Sequence, residues 1–190
     1  RDSSTSRGLG DVYKRQPPSR QSKEAPQMIK NIFGKTGENV WVEAPFHCDY
    51  GWNIEVGENF YSNYNLTILD VGKVTCGKNV QIAPNVSIYT AGHPVHPDSR
   101  NSGYEYGIPV TVGDNVWIGG NTVILPGVTV GSNVVIGAGS VVSKDIPDNT
   151  IAAGNPCKVI REITDEDRIY YFKKQKFDDE AWEEVKNKNK

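Results

Sequence analysis

Residues 112–146 read V-G-D-N-V-W-I-G-G-N-T-V-I-L-P-G-V-T-V-G-S-N-V-V-I-G-A-G-S-V-V-S-K-D-I. Every sixth position from Val112 to Val142 is isoleucine or valine. Cys76, Ile82 and Ile88 carry the same phase upstream, and a looser set runs Val42, Cys48, Ile54 and then Val56, Ser62, Ile68, with a register shift of two. The residue after the β-branched one is small in most hexads (Gly77, Ala83, Gly113, Gly119, Gly131, Gly137), with Tyr89, Leu125 and Ser143 as exceptions. The fourth residue after it is again small or β-branched, as at Val80, Val86, Val116 and Val134. A period of six fits neither the 3.6-residue helix nor the alternation of a two-faced sheet. It fits a short strand plus a turn, and three such units close a triangular coil of eighteen residues. Successive coils then stack about 4.8 Å apart with their backbones bonded as parallel strands. Asn79, Asn85, Asn115 and Asn133 suit the corners, because asparagine tolerates positive φ. The fold class expected is therefore all-β, a parallel β-helix. An ordinary β-sandwich rich in valine and glycine does not generate so many consecutive hexads.

The hexads stop between Ile88 and Val112. The insertion, loop 89–111, contains H-P-V-H and R-N-S-G and two of the three histidines. A coil needs no such excursion for stability, and long loops on rigid scaffolds are where function concentrates.

The bulk numbers exclude several classes. A chain of 190 residues supports one sizeable core. Lys+Arg 21 against Asp+Glu 23 leaves a net charge of -2, which gives no reason to expect nucleic acid or an anionic membrane as partner. No apolar run reaches the roughly 20 residues of a membrane span. Cys48, Cys76 and Cys157 are too scattered for a disulfide framework or a paired-cysteine zinc site, and they fit a reducing, cytoplasmic setting.

The segments G-H-P-V-H, R-N-S-G, V-G-D-N-V-W-I-G-G, I-P-D-N and A-A-G-N-P-C-K-V-I-R-E-I, with F-H-C-D-Y-G-W-N-I upstream, resemble the hexapeptide-repeat sugar O-acetyltransferases of the galactoside and maltose type, over roughly residues 26–178. The resemblance implies a left-handed coil, acetyl-CoA as acetyl donor, a sugar hydroxyl as acceptor, no metal, and a homotrimer with its active sites between subunits. His93 matches the family's catalytic base, and His96 is read as its structural neighbour. On the acceptor side the matches are Asp49, Asn63 and Asp70. Asp49 stands where the galactoside enzymes have serine and the maltose enzymes aspartate. Val71 replaces a second aspartate of the galactoside enzymes, which leans the site toward glucosyl acceptors. On the coenzyme A side the matches are Trp117, Gly120, Ala138, Ser143, Lys144, Lys158 and Arg161. Backbone groups of Gly120 and Ala138 would meet the pantetheine arm, and Lys144, Lys158 and Arg161 the phosphates. Lys158 stands where the galactoside enzymes have arginine, which gives up a bidentate contact.

Two other readings use the same fold. A γ-type zinc carbonic anhydrase would need all three histidines, His47, His93 and His96, as ligands. A non-catalytic scaffold would have no use for the loop histidine. Three segments are expected. Residues 1–25 form an atypical N-terminal stretch. Residues 26–163 form the β-helix domain. Residues 164–190 form a helical extension and tail, with Thr164 and Asp167 as a helix start. Residues 1–16 match nothing in the family's N-terminal segment, which covers the acceptor site, and read as foreign material. Weaker acceptor binding would follow.

Overall fold

The structure is a computed structural model that describes residues 24–188. The readings that concern residues 1–23 lie outside it.

The chain winds into about six turns of a left-handed parallel β-helix. The first face stacks Val40–Val42, Phe60–Ser62, Gln81–Ile82, Trp117–Ile118, Val135–Ile136 and Thr150–Ala153. The second stacks Phe46–Cys48, Leu66–Leu69, Ser87–Tyr89, Val123–Ile124 and Val141–Val142. The third stacks Ile54–Val56, Val74–Cys76, Val110–Val112 and Thr129–Val130. The hexad residues point inward and form columns: Ile68 pairs with Ile88, Ile88 with Ile124, and Ile124 with Val142. All four are 0% exposed. Burying one such side chain contributes about 1.5–3 kcal/mol, and a β-branched side chain suits the pleated surface.

The eighteen-residue coil holds for the middle of the helix, where Thr111 pairs with Thr129 and Trp117 with Val135. The earlier coils take twenty residues (Phe46 with Leu66, Thr67 with Ser87), and the last takes sixteen (Val135 with Ile151). The two extra residues explain the register shift seen in the sequence. They fall after the second face, at residues 49–53 and 70–73. Loop 89–111 leaves from that same corner.

The corner after the third face carries an asparagine ladder. Asn59, Asn79, Asn115, Asn133 and Asn149 all have φ between 56° and 58°. Each Nδ2 donates to the next Oδ1, at 3.0, 2.8, 2.9 and 2.8 Å. Asn85 adopts φ 61° at the corner before the second face, so all four asparagines singled out in the sequence sit at positive φ.

A helix precedes the first coil. Helix α1 (Glu24–Ile32) closes the first coil, burying Ala25, Ile29 and Ile32. Their spacing is helical, and Pro26 falls in the first turn, where a missing N–H costs nothing. The far end is closed by Lys158–Glu162, which turns back antiparallel onto Thr150–Ala153. The expected helix start at Thr164 is a short 3-10 turn, Asp165–Ile169, with Asp167 accepting the Thr164 N–H at 2.8 Å. A hairpin (Tyr170–Phe172 with Gln175–Lys176) precedes a C-terminal helix over Asp179–Lys188. The rings of this extension pair with one another, Tyr171 with Phe177 and Phe177 with Trp182.

Candidate active site

Loop 89–111 is tied at its base. Ala91–Gly92 pairs antiparallel with Tyr106–Gly107, Ile108 N donates to Thr90 O at 2.8 Å, and Val110 N to Lys73 O at 3.0 Å. Gly107 packs directly on the corner beneath. A Cβ there would lie 2.8 Å from Gly72 N, so only glycine permits the approach. Within the loop, helix α2 (Pro97–Asn101) starts from His96, whose Nδ1 accepts the Asp98 N–H at 3.2 Å. His96 is therefore a capping residue, as its reading as a structural neighbour requires.

His93 is exposed, and its Nδ1 lies 3.2 Å from the Tyr104 carbonyl oxygen. A carbonyl can only accept, so Nδ1 carries the proton. In the neutral ring Nε2 then presents its lone pair outward, which is the state a general base needs.

Asp49 lies on the corner over which this loop rises. Its carboxyl is held above the usual carboxylate range by partial burial and then by the charges of Asp70 and Glu105. Glu105 directly follows Tyr104, so the returning limb of the loop faces Asp49. The structure thus joins Asp49 and the His93 loop on one corner. Asp70 does not meet the expectation of a substrate contact. It is 0% exposed, with Oδ1 accepting Asp49 N and Tyr50 N at 3.0 Å each and Oδ2 accepting Gly51 N at 2.7 Å. Its carboxylate shapes the turn that presents Asp49.

The remaining residues fall on two corners and on the first face. Ser143 and Lys144 lie on the His93 corner, at the far end of the coil. Asn63, Gly120 and Ala138 lie on the preceding corner. Trp117, Lys158 and Arg161 lie on the first face. Four residues, including the strand Val141–Val142, lie between Ala138 and Ser143, so the two groups sit on successive corners of the coil. Asn63 Oδ1 accepts Tyr64 N at 2.8 Å, leaving its amide N–H groups to donate elsewhere. The Gly120 carbonyl accepts Gly139 N at 2.8 Å. Trp117 is 55% exposed. Lys144 and Lys158 are exposed cations without an ion pair among the described residues. Arg161, expected at the phosphates, has its guanidinium engaged within the chain. Its guanidinium forms a fork with the Asp167 carboxylate, at 2.8 and 2.7 Å, and this holds Asp167 down at about 2. A phosphate would have to compete for those N–H groups.

Burial pushes the Cys48 thiol up to about 12, aided by Asp70 and Asp49, and pushes Cys76 to about 12 and Cys157 upward. No cysteine is poised as a thiolate nucleophile. Among the described residues no group of three or more His, Cys, Asp or Glu side chains could hold a metal ion, and nothing favours the zinc reading. No described helix is long and apolar enough to cross a membrane. Sequence reasoning missed Tyr104 and Glu105. Tyr104 meets His93 through a main-chain carbonyl, which no residue type announces.

A family model described as bacterial transferase hexapeptide (six repeats) matches residues 109–144. The galactoside O-acetyltransferase of Escherichia coli K12 is 54% identical over 149 residues, 78% of this chain and 73% of that one. Among solved structures, a galactoside acetyltransferase in complex with coenzyme A superposes with a TM-score of 0.87 at 52% identity, covering 92% of this chain and 86% of that one. A maltose O-acetyltransferase from Clostridium difficile 630 gives 0.82 at 50% identity, covering 86% and 87%. The chain belongs to the hexapeptide-repeat galactoside and maltose O-acetyltransferase family, and by class is an acetyl-CoA-dependent acyltransferase.

Proposed function

We propose that the chain transfers the acetyl group of acetyl-CoA to a hydroxyl of a sugar of the glucosyl, maltose or galactoside type, with His93 as general base. The observation that carries this reading is the His93 Nδ1 to Tyr104 carbonyl bond, which leaves Nε2 as the acceptor. A sugar hydroxyl is a weak nucleophile at neutral pH. Nε2 takes its proton as the oxygen attacks the thioester carbonyl, and the resulting imidazolium returns a proton to the departing thiolate. The transfer is direct and needs no acyl-enzyme, in keeping with three thiols whose titration is raised, two of them buried and Cys48 half-buried. Asp49 accepts hydrogen bonds from the acceptor hydroxyls, and the Asn63 amide donates to them. Trp117 lies along the pantetheine arm beside Gly120, Ala138 and Ser143, and Lys144 and Lys158 meet the phosphates. Arg161 contributes there only by giving up part of its bond to Asp167.

The assembly is a homotrimer, working in the cytoplasm. The support is the division of the site: the His93 corner of one copy needs the Asn63 and Trp117 side of another. Trp117, Val159 (45%) and Ile160 (65%) are exposed in the single chain, a burial deficit that a neighbouring copy removes.

The test is thiol release from acetyl-CoA with a panel of sugars. Wild-type turnover with a loss of about 10²–10⁴ in kcat for His93→Ala is expected. Equal turnover of the two proteins overturns the assignment of the base.

A further inference from the structure

The motif R-N-S-G, Arg100 to Gly103, has no part in the chemistry above, yet it builds the turn that returns the loop to Tyr104. Gly103 takes φ +82°, and its N–H donates to Arg100 O at 3.1 Å. Ser102 Oγ donates to Ser99 O at 2.7 Å. From inside this turn Arg100 reaches back across the loop. Its Nη1 donates to Val95 O at 2.8 Å and to Pro94 O at 3.2 Å, the two carbonyls that follow His93.

We infer that Arg100 is a positioning residue for His93: from helix α2 it ties down the Pro94 and Val95 carbonyls directly after His93 and so holds the imidazole against Tyr104 as the Nδ1–H tautomer. This rests on the reading of His93 as the base. Above the Ala91–Gly92 pairing with Tyr106–Gly107, His93 to Tyr104 joins the two limbs of the loop, so the strap is the reacting group itself. Arg100 fixes the chain directly after His93 to helix α2. Without Arg100 that stretch is free to shift, and the imidazole has to hold the loop as well as act. A ring free to turn also presents Nδ1 or a misplaced Nε2 to the acceptor. A displacement of about 1 Å at a reacting group can cost on the order of 10² in rate. An ammonium carries three N–H donors and can meet both carbonyls, so lysine restores the clasp where alanine and glutamine lose it.

The experiment combines kinetics with the 15N NMR signature of the His93 tautomer. Arg100→Ala is expected to lower kcat by roughly 10- to 100-fold, with the acetyl-CoA KM within about twofold. The NMR signal is expected to change from the Nδ1–H form to a mixture. Arg100→Lys is expected to recover most of the rate and the wild-type tautomer. The inference is overturned by an unchanged kcat in Arg100→Ala, by a rate loss with the tautomer unmoved, or by Arg100→Lys being as impaired as Arg100→Ala. Should Arg100→Ala not fold, the lysine variant and the tautomer of Arg100→Gln decide by the same criteria. Failure of the base assignment is read separately, from full turnover in His93→Ala, since the NMR signal does not depend on activity.

Discussion

Substituting Asp70 by asparagine separates two roles that an aspartate at this corner could have. Asparagine keeps the volume and one carbonyl oxygen, which can still accept the Asp49 and Tyr50 N–H groups now 3.0 Å from Oδ1. The other oxygen becomes an amide nitrogen facing the Gly51 N–H, which now lies 2.7 Å from Oδ2. A donor then opposes a donor at a site that is 0% exposed. A buried donor left without an acceptor costs about 1–3 kcal/mol, and the two surviving bonds lose their charge assistance. The sum is about 2–4 kcal/mol. At roughly 2–4 °C per kcal/mol for a chain of this length, thermal unfolding should fall by about 5–15 °C. The turn over residues 49–51 loosens with it, so acceptor kcat/KM falls while the acetyl-CoA KM holds. Removing the Asp70 charge also lets the Asp49 carboxyl and the Cys48 thiol titrate lower, because that charge helps raise both. Circular dichroism melting and steady-state kinetics on the same preparations read both effects. A melting temperature within 2 °C of wild type, with only the acceptor KM raised, would refute the turn-anchoring role and return Asp70 to the acceptor itself.

Two further outcomes follow from the corners and the C-terminal extension. Asn115 has φ 56° and sits mid-ladder between Asn79 and Asn133. Asn115→Ala therefore loses the ladder bonds and keeps a Cβ in the left-handed region without the short polar side chain that lets asparagine adopt it, at about 1–2 kcal/mol, while Asn115→Gly loses the bonds but has no Cβ to strain. Chemical denaturation should find alanine the more damaging, and equal losses would contradict the argument from φ. Asp167 is held down at about 2, first by Arg161, so its folded value lies below its ordinary one. Its support for the extension is therefore complete above about pH 4 and is lost as the pH falls toward 2. Hydrogen exchange over residues 161–177 should accelerate in that window for the wild type and not for Asp167→Asn; a flat wild-type profile there contradicts the assignment.

The fold was legible in the sequence because each coil repeats one physical demand, a β-branched side chain inward and an asparagine or glycine at the bend. The helix over Glu24–Ile32 escaped that pattern because its Ala25, Ile29 and Ile32 obey another period. The intramolecular partners of Asp70 and Arg161 were not legible either. An aspartate reads the same whether its oxygens face a sugar or three peptide N–H groups, and an arginine reads the same whether its fork meets phosphate or Asp167. The location of the proposed site had a sequence signature all the same. From the first face to the second the inward residues keep a spacing of six in every coil, Val42 to Cys48 through Ile136 to Val142, and from the third face to the first they do so again, Val56 to Ser62 through Ile146 to Ala152. Only from the second face to the third does the spacing vary: eight from Cys48 to Val56 and from Ile68 to Cys76, twenty-four from Ile88 to Val112, six from Ile124 to Val130, and four from Val142 to Ile146. Two corners are locked by stacked asparagines and strand register, so length can change only at the third. That corner carries Asp49, Asp70, His93 and Lys144. A break in spacing thus marks the corner that carries the His93 half of the proposed site.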